Sequence, residues 1–281
     1  MNAPHVIALG ADSARSKDWR LEGEDLIFEI DDTRYHSIGD TYLKSIHVVG
    51  SVKGSLHVLV PVQGDVVVDG TVGGEVMVAQ RIEGNLELGG GCKDGLTISE
   101  DIDGQLVVVG GVTGHVQASG GVGGVNIQGG VKGDVDFGAD VDGDIRTFGE
   151  VTGELKVDGA VAGSVVVEGP VGGFISLDDD VAGDVRLNQS VAQGVQVKGS
   201  IGGELSVSGT GSKVTVKGGV GSLKVGDGVG ADIVVHEKIE MDVKVGGQQD
   251  GALELSRGEG AATRRRKLCL RASKPGLGRR E

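Results

Sequence analysis

Carboxylates are the groups in this chain that could do the most chemistry, and they recur. Asp65, Glu75, Asp134, Asp144, Glu154, Asp184 and Glu204 stand a multiple of ten residues apart, apart from one slip. The densest stretch is Asp134-Val-Asp136-Phe-Gly-Ala-Asp140-Val-Asp142-Gly-Asp144. Hard oxygen ligands at this density suit calcium. The stretch matches neither the EF-hand loop nor the glycine-rich calcium nonapeptide. It reads as a solvated acidic face. Asp134, Asp136, Asp140, Asp142 and Asp144 are the only metal-ligand candidates, and no cofactor is expected.

The other reactive residue types are sparse. His5, His36, His47, His57, His115 and His236 form no ligand spacing with cysteine or carboxylate, so they read as polar surface positions. Cys92 falls at an aliphatic position of a repeat, and Cys269 lies near the C-terminus. Two such thiols make no disulfide framework, and reduced thiols in the cytosol are the simpler reading. Pairs such as Gly123-Gly124 and Gly172-Gly173 precede no helix, so they are turn glycines, not a phosphate loop. No acid, base or nucleophile is gathered at a break in the pattern, so the chain reads as a non-enzyme.

Two stretches are built for contact. Trp19, Phe28, Tyr35 and Tyr42 hold most of the aromatic content. They read as a cap on an open apolar end, or as a docking face. Near the other terminus, Arg264, Arg265, Arg266 and Lys267 form a basic run. Such a run is either a solvated flexible tail or a contact for an anionic membrane surface or an acidic partner.

All these residues hang on one periodic frame. Val131, Val141, Val151, Val161, Val171, Val181, Val191 and Ile201 return every ten positions. The unit reads V-x-G-x-V-x-V-x-G-x, as in Val151-Thr-Gly153-Glu-Leu155-Lys-Val157-Asp-Gly159-Ala160. Earlier anchors are Val52, Val62, Val72, Ile82, Cys92, Ile102, Val112 and Val122, after which one residue is missing. Apolar residues alternate with polar ones, which is strand periodicity. An even period keeps one face inward in every copy, so the chain can coil on itself as a β-solenoid. Each slip should fall in a turn, because a slip within a strand would turn its apolar face outward.

Volume decides the coil. Three units would enclose sides of ~33 Å at ~3.3 Å per residue, too wide for valine to fill. Two units give facing sheets ~10 Å apart, which valine and leucine fill. The expectation is ~20 residues per coil, about ten coils and a rod ~48 Å long. The boundaries read as 1–17 disordered, 18–45 N-terminal cap, 46–246 solenoid, and 247–281 a terminal strand with a basic flexible tail.

Composition agrees. The chain has 281 residues, 54 of them Gly, with 38% hydrophobic residues and a formal net charge of −14. The G-X-Y period of collagen is missing, and the apolar content is too high for disorder. Because the C-terminal end is basic, the body is more acidic than the total, and nucleic acid along it is disfavoured. No signal-peptide layout and no span of ~18 apolar residues is present, so the reading is cytoplasmic, with membrane association through the tail.

The runs Gly70-Thr-Val-Gly-Gly-Glu-Val76, Gly159-Ala-Val-Ala-Gly-Ser-Val165 and Gly199-Ser-Ile-Gly-Gly-Glu-Leu205 resemble the G-x-V-x-G-[DE]-[VIL] turns of bactofilins. The resemblance spans about residues 46–246. It implies a β-helical core with flexible ends, and nucleotide-free filaments assembled end to end that scaffold other proteins at a membrane. The body is also similar to exported adhesin-head solenoids. The expectation is a self-associating, non-enzymatic scaffold, a homo-oligomer or polymer. The alternative is an adhesin-like or cation-binding module.

Overall fold

In the computed structural model, the structure describes residues 43–209, 212–226, 230, 232–237 and 239–246. It also describes the backbone of the terminal strands at 5–8, 19–22, 25–28, 252–255 and 266–269. No helix occurs among the described residues.

Three strands precede the regular coils: β1 (His5–Ala8), β2 (Trp19–Glu22) and β3 (Asp25–Phe28). The coils supply β4 (Ile46–Val49), β5 (Leu56–Val58), β6 (Val66–Val68), β7 (Val76–Val78), β8 (Leu86–Leu88), β9 (Leu96–Ile98), β10 (Ile102–Val108), β11 (Val116–Ala118), β12 (Val122–Ile127), β13 (Val135–Phe137), β14 (Ile145–Thr147), β15 (Leu155–Val157), β16 (Val165–Val167), β17 (Phe174–Leu177), β18 (Val185–Leu187), β19 (Gly194–Val197), β20 (Ile201–Val207), β21 (Val214–Val216), β22 (Val220–Val225), β23 (Ile233–Val235) and β24 (Val243–Val245). β25 (Ala252–Leu255) and β26 (Arg266–Cys269) follow.

Strands β4 to β23 each pair in parallel with the strand two further on, as Leu155 does with Ile175, so one coil takes two units. Even-numbered strands from β4 to β24, with β1 on the outside of β4, form the first sheet. Odd-numbered strands, with β2 and β26 at the ends, form the second. The chain is a single-stranded parallel β-solenoid of about ten coils.

Each unit turns inward three times. Its first, fifth and seventh positions are buried: Val151, Leu155 and Val157 are each no more than 1% exposed. The anchors form parallel bridges of their own, Val131 to Val151 to Val171 on one flank and Val141 to Val161 to Val181 on the other. The cross-section therefore has four sides, two sheets and two narrow flanks, where the facing-sheet argument counted two. Valine suits this interior because its branched side chain packs on a pleated surface and loses little rotamer freedom there. The residues departing from valine compensate locally. Phe137, fully buried, stacks in register on Ala118 of the coil before it.

The corner glycines have a simple cause. Nearly all keep ordinary backbone angles, and the few with positive φ include Gly194 at +131°. What excludes a side chain is the neighbouring coil. A Cβ on Gly133 would lie 2.8 Å from the carbonyl oxygen of Gly114. Two stacked backbones ~4.8 Å apart leave no room for it at a bend.

The register slip sits at a corner, as the alternation requires. Ile102 pairs with Val122 and Gln105 with Gly124, so the missing residue falls between anchor and strand. Val125 and Ile127 then rejoin their ladder facing inward. β22 repeats the device: Ile201 pairs with Val220 and Glu204 with Ser222.

Strands also occur in the two terminal segments. The first seventeen residues, expected to be disordered, contain β1, which pairs in parallel with β4. The basic C-terminal stretch, expected to be flexible, contains β26, which pairs antiparallel with β25. The physical reason is the same at both ends. A terminal strand exposes a row of N–H and C=O groups, and a spare segment satisfies them by adding a strand. In the 18–45 cap, β2 and β3 form an antiparallel hairpin whose inner strand continues the second sheet onto β5. The second sheet is thus extended at this end by strand addition, with β2 as its outer strand.

Candidate interaction surface

The four sides array surface residues in columns with one coil between neighbours. Outward carboxylates in such a column would stand ~4.8 Å apart and repel. Between Asp144 and Asp184 the structure relieves this by alternation. On the corner preceding the first sheet, Asp144, Ser164 and Asp184 occupy successive coils. Each hands a side-chain oxygen to the next coil: Asp144 Oδ1 accepts from the Ser164 amide at 2.8 Å, and Ser164 Oγ accepts from the Asp184 amide at 3.1 Å. Asp184 Oδ1 accepts from the Glu204 amide at 2.7 Å. The amide of Ser164 holds the Asp144 carboxyl below its ordinary range, with Arg146 adding to the effect. Short polar side chains at a bend bind backbone amides well, and here they bind the next coil's amide.

The five candidate metal ligands are spread around one coil. Asp134 lies at the corner before the second sheet, where Oδ1 accepts from the Glu154 amide at 2.9 Å. Asp136 is at mid-strand, between Gln117 and Lys156 on the ladder, with Oδ1 buried and without a hydrogen-bond partner. Asp140 Oδ1 accepts from the Ala160 amide at 2.8 Å. Asp142 lies past the Val141 anchor, and Asp144 on the far corner pairs with Arg146 at 2.8 Å. Among the described residues, no three histidine, cysteine or acidic side chains come together as a cation site.

Three histidines do face single carboxylates, across coils and not along the chain. His47 lies 2.9 Å from Asp69 and His115 lies 3.1 Å from Asp134. His57 lies 3.4 Å from Glu75, close enough for attraction but without hydrogen-bond geometry. Sequence spacing misses these pairs because the partners are about twenty residues apart. Cys92 is buried among the anchors, and burial pushes its thiol up to about 11. A shallow notch with room for about 110 Å³, lined by Glu204, Met241, Asp242 and Lys244, lies near the C-terminal end.

Of the contact residues read from the sequence, Trp19 and Phe28 are register partners in the β2–β3 hairpin. Arg266 and Lys267 lie in β26, paired with Leu255 and Glu254. Tyr35, Arg264 and Arg265 fall outside the described residues.

The strongest surface asymmetry is between the two narrow flanks. The flank anchored by Val62 through Ile201 carries Glu83, Glu100, Asp101, Asp103, Asp140, Asp142, Asp179 and Asp180, against Arg81 alone. Arg81 is already paired with Asp103 at 2.7 Å. The opposite flank, anchored by Val52 through Val191, carries Lys53, Lys93 and Lys132 against Asp94 and Glu150. On the acidic flank the stations around Ile102, Val141 and Val181 are each separated by a coil of Gly, Ala or Ser. Asp101, Asp140 and Asp180 each accept the amide of that neutral coil, at 2.7–2.8 Å. This geography was missed in the sequence. Its signal is a recurrence every forty residues, which has meaning only once the coil is known to be twenty.

Comparison with protein-family models, with curated proteins and with solved structures finds no match to this chain. The bactofilin resemblance therefore rests on its turn motif.

Proposed function

We propose that this chain is a non-enzymatic structural protein, a rigid rod that self-associates into filaments and displays its polar sides to other proteins. The observation that supports this most is at the ends. Among the described residues the first sheet begins at β1 and finishes at β24, and the second begins at β2 and finishes at β26, so each of these strands has one edge with no described partner in its sheet. Unpaired edges on a rigid parallel stack are templates for a further strand, and end-to-end addition continues both sheets. The apolar interior is enclosed by side chains.

In this reading the basic stretch Arg264 to Lys267 is the membrane or partner contact, acting by charge on an anionic surface. No helix among the described residues is long and apolar enough to cross a membrane.

Negative-stain microscopy of the purified chain, with and without calcium, tests the proposal. The expected result is filaments many rod lengths long in both conditions. Discrete rods ~50 Å long at all concentrations would sink it. Rods that bind calcium stoichiometrically and never elongate would favour the cation-binding module instead.

A further inference from the structure

The two narrow flanks are complementary in sign and in spacing. Lys53, Lys93 and Lys132 each follow an anchor, and the anchors Val52, Cys92 and Val131 are two coils apart. Their axial spacing is therefore ~9.6 Å. Asp103, Asp142 and Asp180 stand at Ile102, Val141 and Val181, again two coils apart and again at ~9.6 Å. All six side chains belong to exposed residues. The coil between each pair is uncharged at the corresponding position, Gly73 and Thr113 on one flank, Gly123 and Ala162 on the other.

We infer that the basic flank of one copy docks side by side on the acidic flank of a second, with the three lysines seated on the three carboxylate stations. The occupant is a second copy because its lysine repeat has the same two-coil pitch as the carboxylates. A flexible basic peptide or a soluble cation has no reason to share that pitch. The contact is heterologous, since a docked pair keeps one unused flank of each sign, so it propagates laterally instead of closing. It rests on the self-association reading and deepens it by naming a surface distinct from the strand edges.

Whole-chain repulsion opposes the contact, because each copy carries a formal net charge of −14. At ~0.1 M salt the Debye length is ~10 Å, so the facing flanks dominate over the distant charge. At ~1 M it is ~3 Å, and the attraction itself is screened. Lateral association should therefore hold near 0.1 M and fall away toward 1 M.

The test uses the full chain and two charge-reversed variants, K53E/K93E/K132E and D103K/D142K/A182K. The second leaves Asp101, Asp140 and Asp180 in place as acceptors for the neighbouring coil. Unchanged circular dichroism checks that each still folds. Sedimentation gives affinity, and microscopy gives the width and length of assemblies separately. Wild type should form assemblies two or more rods wide. Either variant alone should associate laterally at least tenfold more weakly, and an equimolar mixture should recover, because the glutamate flank of one meets the lysine flank of the other.

Unchanged width in either variant, or a mixture that fails to recover, would overturn the inference. Long filaments of single-rod width from wild type would overturn it while sparing end-to-end assembly. Side-by-side pairs that never elongate would uphold it and sink end-to-end assembly. Wild type that stays as single rods would sink both.

Discussion

Replacing Thr147 by valine should make the rod more stable. Thr147 is at an inward position of β14, 1% exposed, where nearly every other coil has an aliphatic residue. Its Oγ1 has no hydrogen-bond partner. Its ladder neighbours on either side are Ile127 and Val167. A hydroxyl taken out of water without a partner costs about 1–3 kcal/mol. Valine has nearly the same shape, so the substitution removes that cost without opening a cavity or crowding the coil. The expected gain is about 1–2 kcal/mol. For a body of this size that is a rise in Tm of roughly 2–8 °C. Urea unfolding at constant slope gives the global value. Because each coil touches only its neighbours, hydrogen exchange gives a sharper local one. The Glu168 amide, which donates to the Thr147 carbonyl at 2.8 Å, should be protected further. The mirror change Val167→Thr should cost a similar amount. If Thr147→Val leaves the midpoint unchanged or lowers it, the hydroxyl is satisfied in the folded state and the account of an all-aliphatic interior is wrong at this coil.

The amide ladder predicts that Asp140→Asn is nearly neutral, since an amide oxygen can still accept from Ala160, while Asp140→Ala costs about 0.5–1.5 kcal/mol in urea unfolding. The Asp144 carboxyl is held below its ordinary 3.8, so its contribution is present above that value and is lost as pH falls through the lower folded value. An acid titration of the unfolding midpoint should therefore lose one step in Asp144→Asn, and an unchanged profile would contradict the hydrogen bond from Ser164. Inserting one glycine between Gly123 and Gly124 restores a ten-residue unit at a corner, at the position where the stacked coils leave no room for a Cβ, and should cost little. The same insertion after Asn126 turns Ile127 outward and should cost about 2–5 kcal/mol, read by thermal melting. In a Cys269→Ser background, Cys92 should resist thiol reagents at pH 8 until the rod is denatured, because it is buried and its thiol is raised to about 11. Prompt labelling of the native protein would show that the interior is open there.

Much of the architecture was legible in the order of residue types. Aliphatic residues at Val151, Leu155 and Val157 of one unit and at the same offsets in the next can be buried together only if the strands are stacked. The width that valine can span limits the coil to two units. The slip after Val122 had to fall at a corner, because alternation punishes any other place. The ends were less legible. His5–Ala8 and Arg266–Cys269 are strands because an edge lies beside them, and an edge is a property of the stack.

The interaction surface shows the same division. Asp101, Asp140 and Asp180 sit in plain view along the chain, as do Lys53, Lys93 and Lys132. Local alternation and side-chain volume, acting over ten residues, determined the strand, its inward face and the coil. Which charges share a column, which flank they line and which amide each carboxylate receives were decided only by winding. Those relations join residues twenty and forty apart, and such residues become neighbours when one backbone is laid on another and not before.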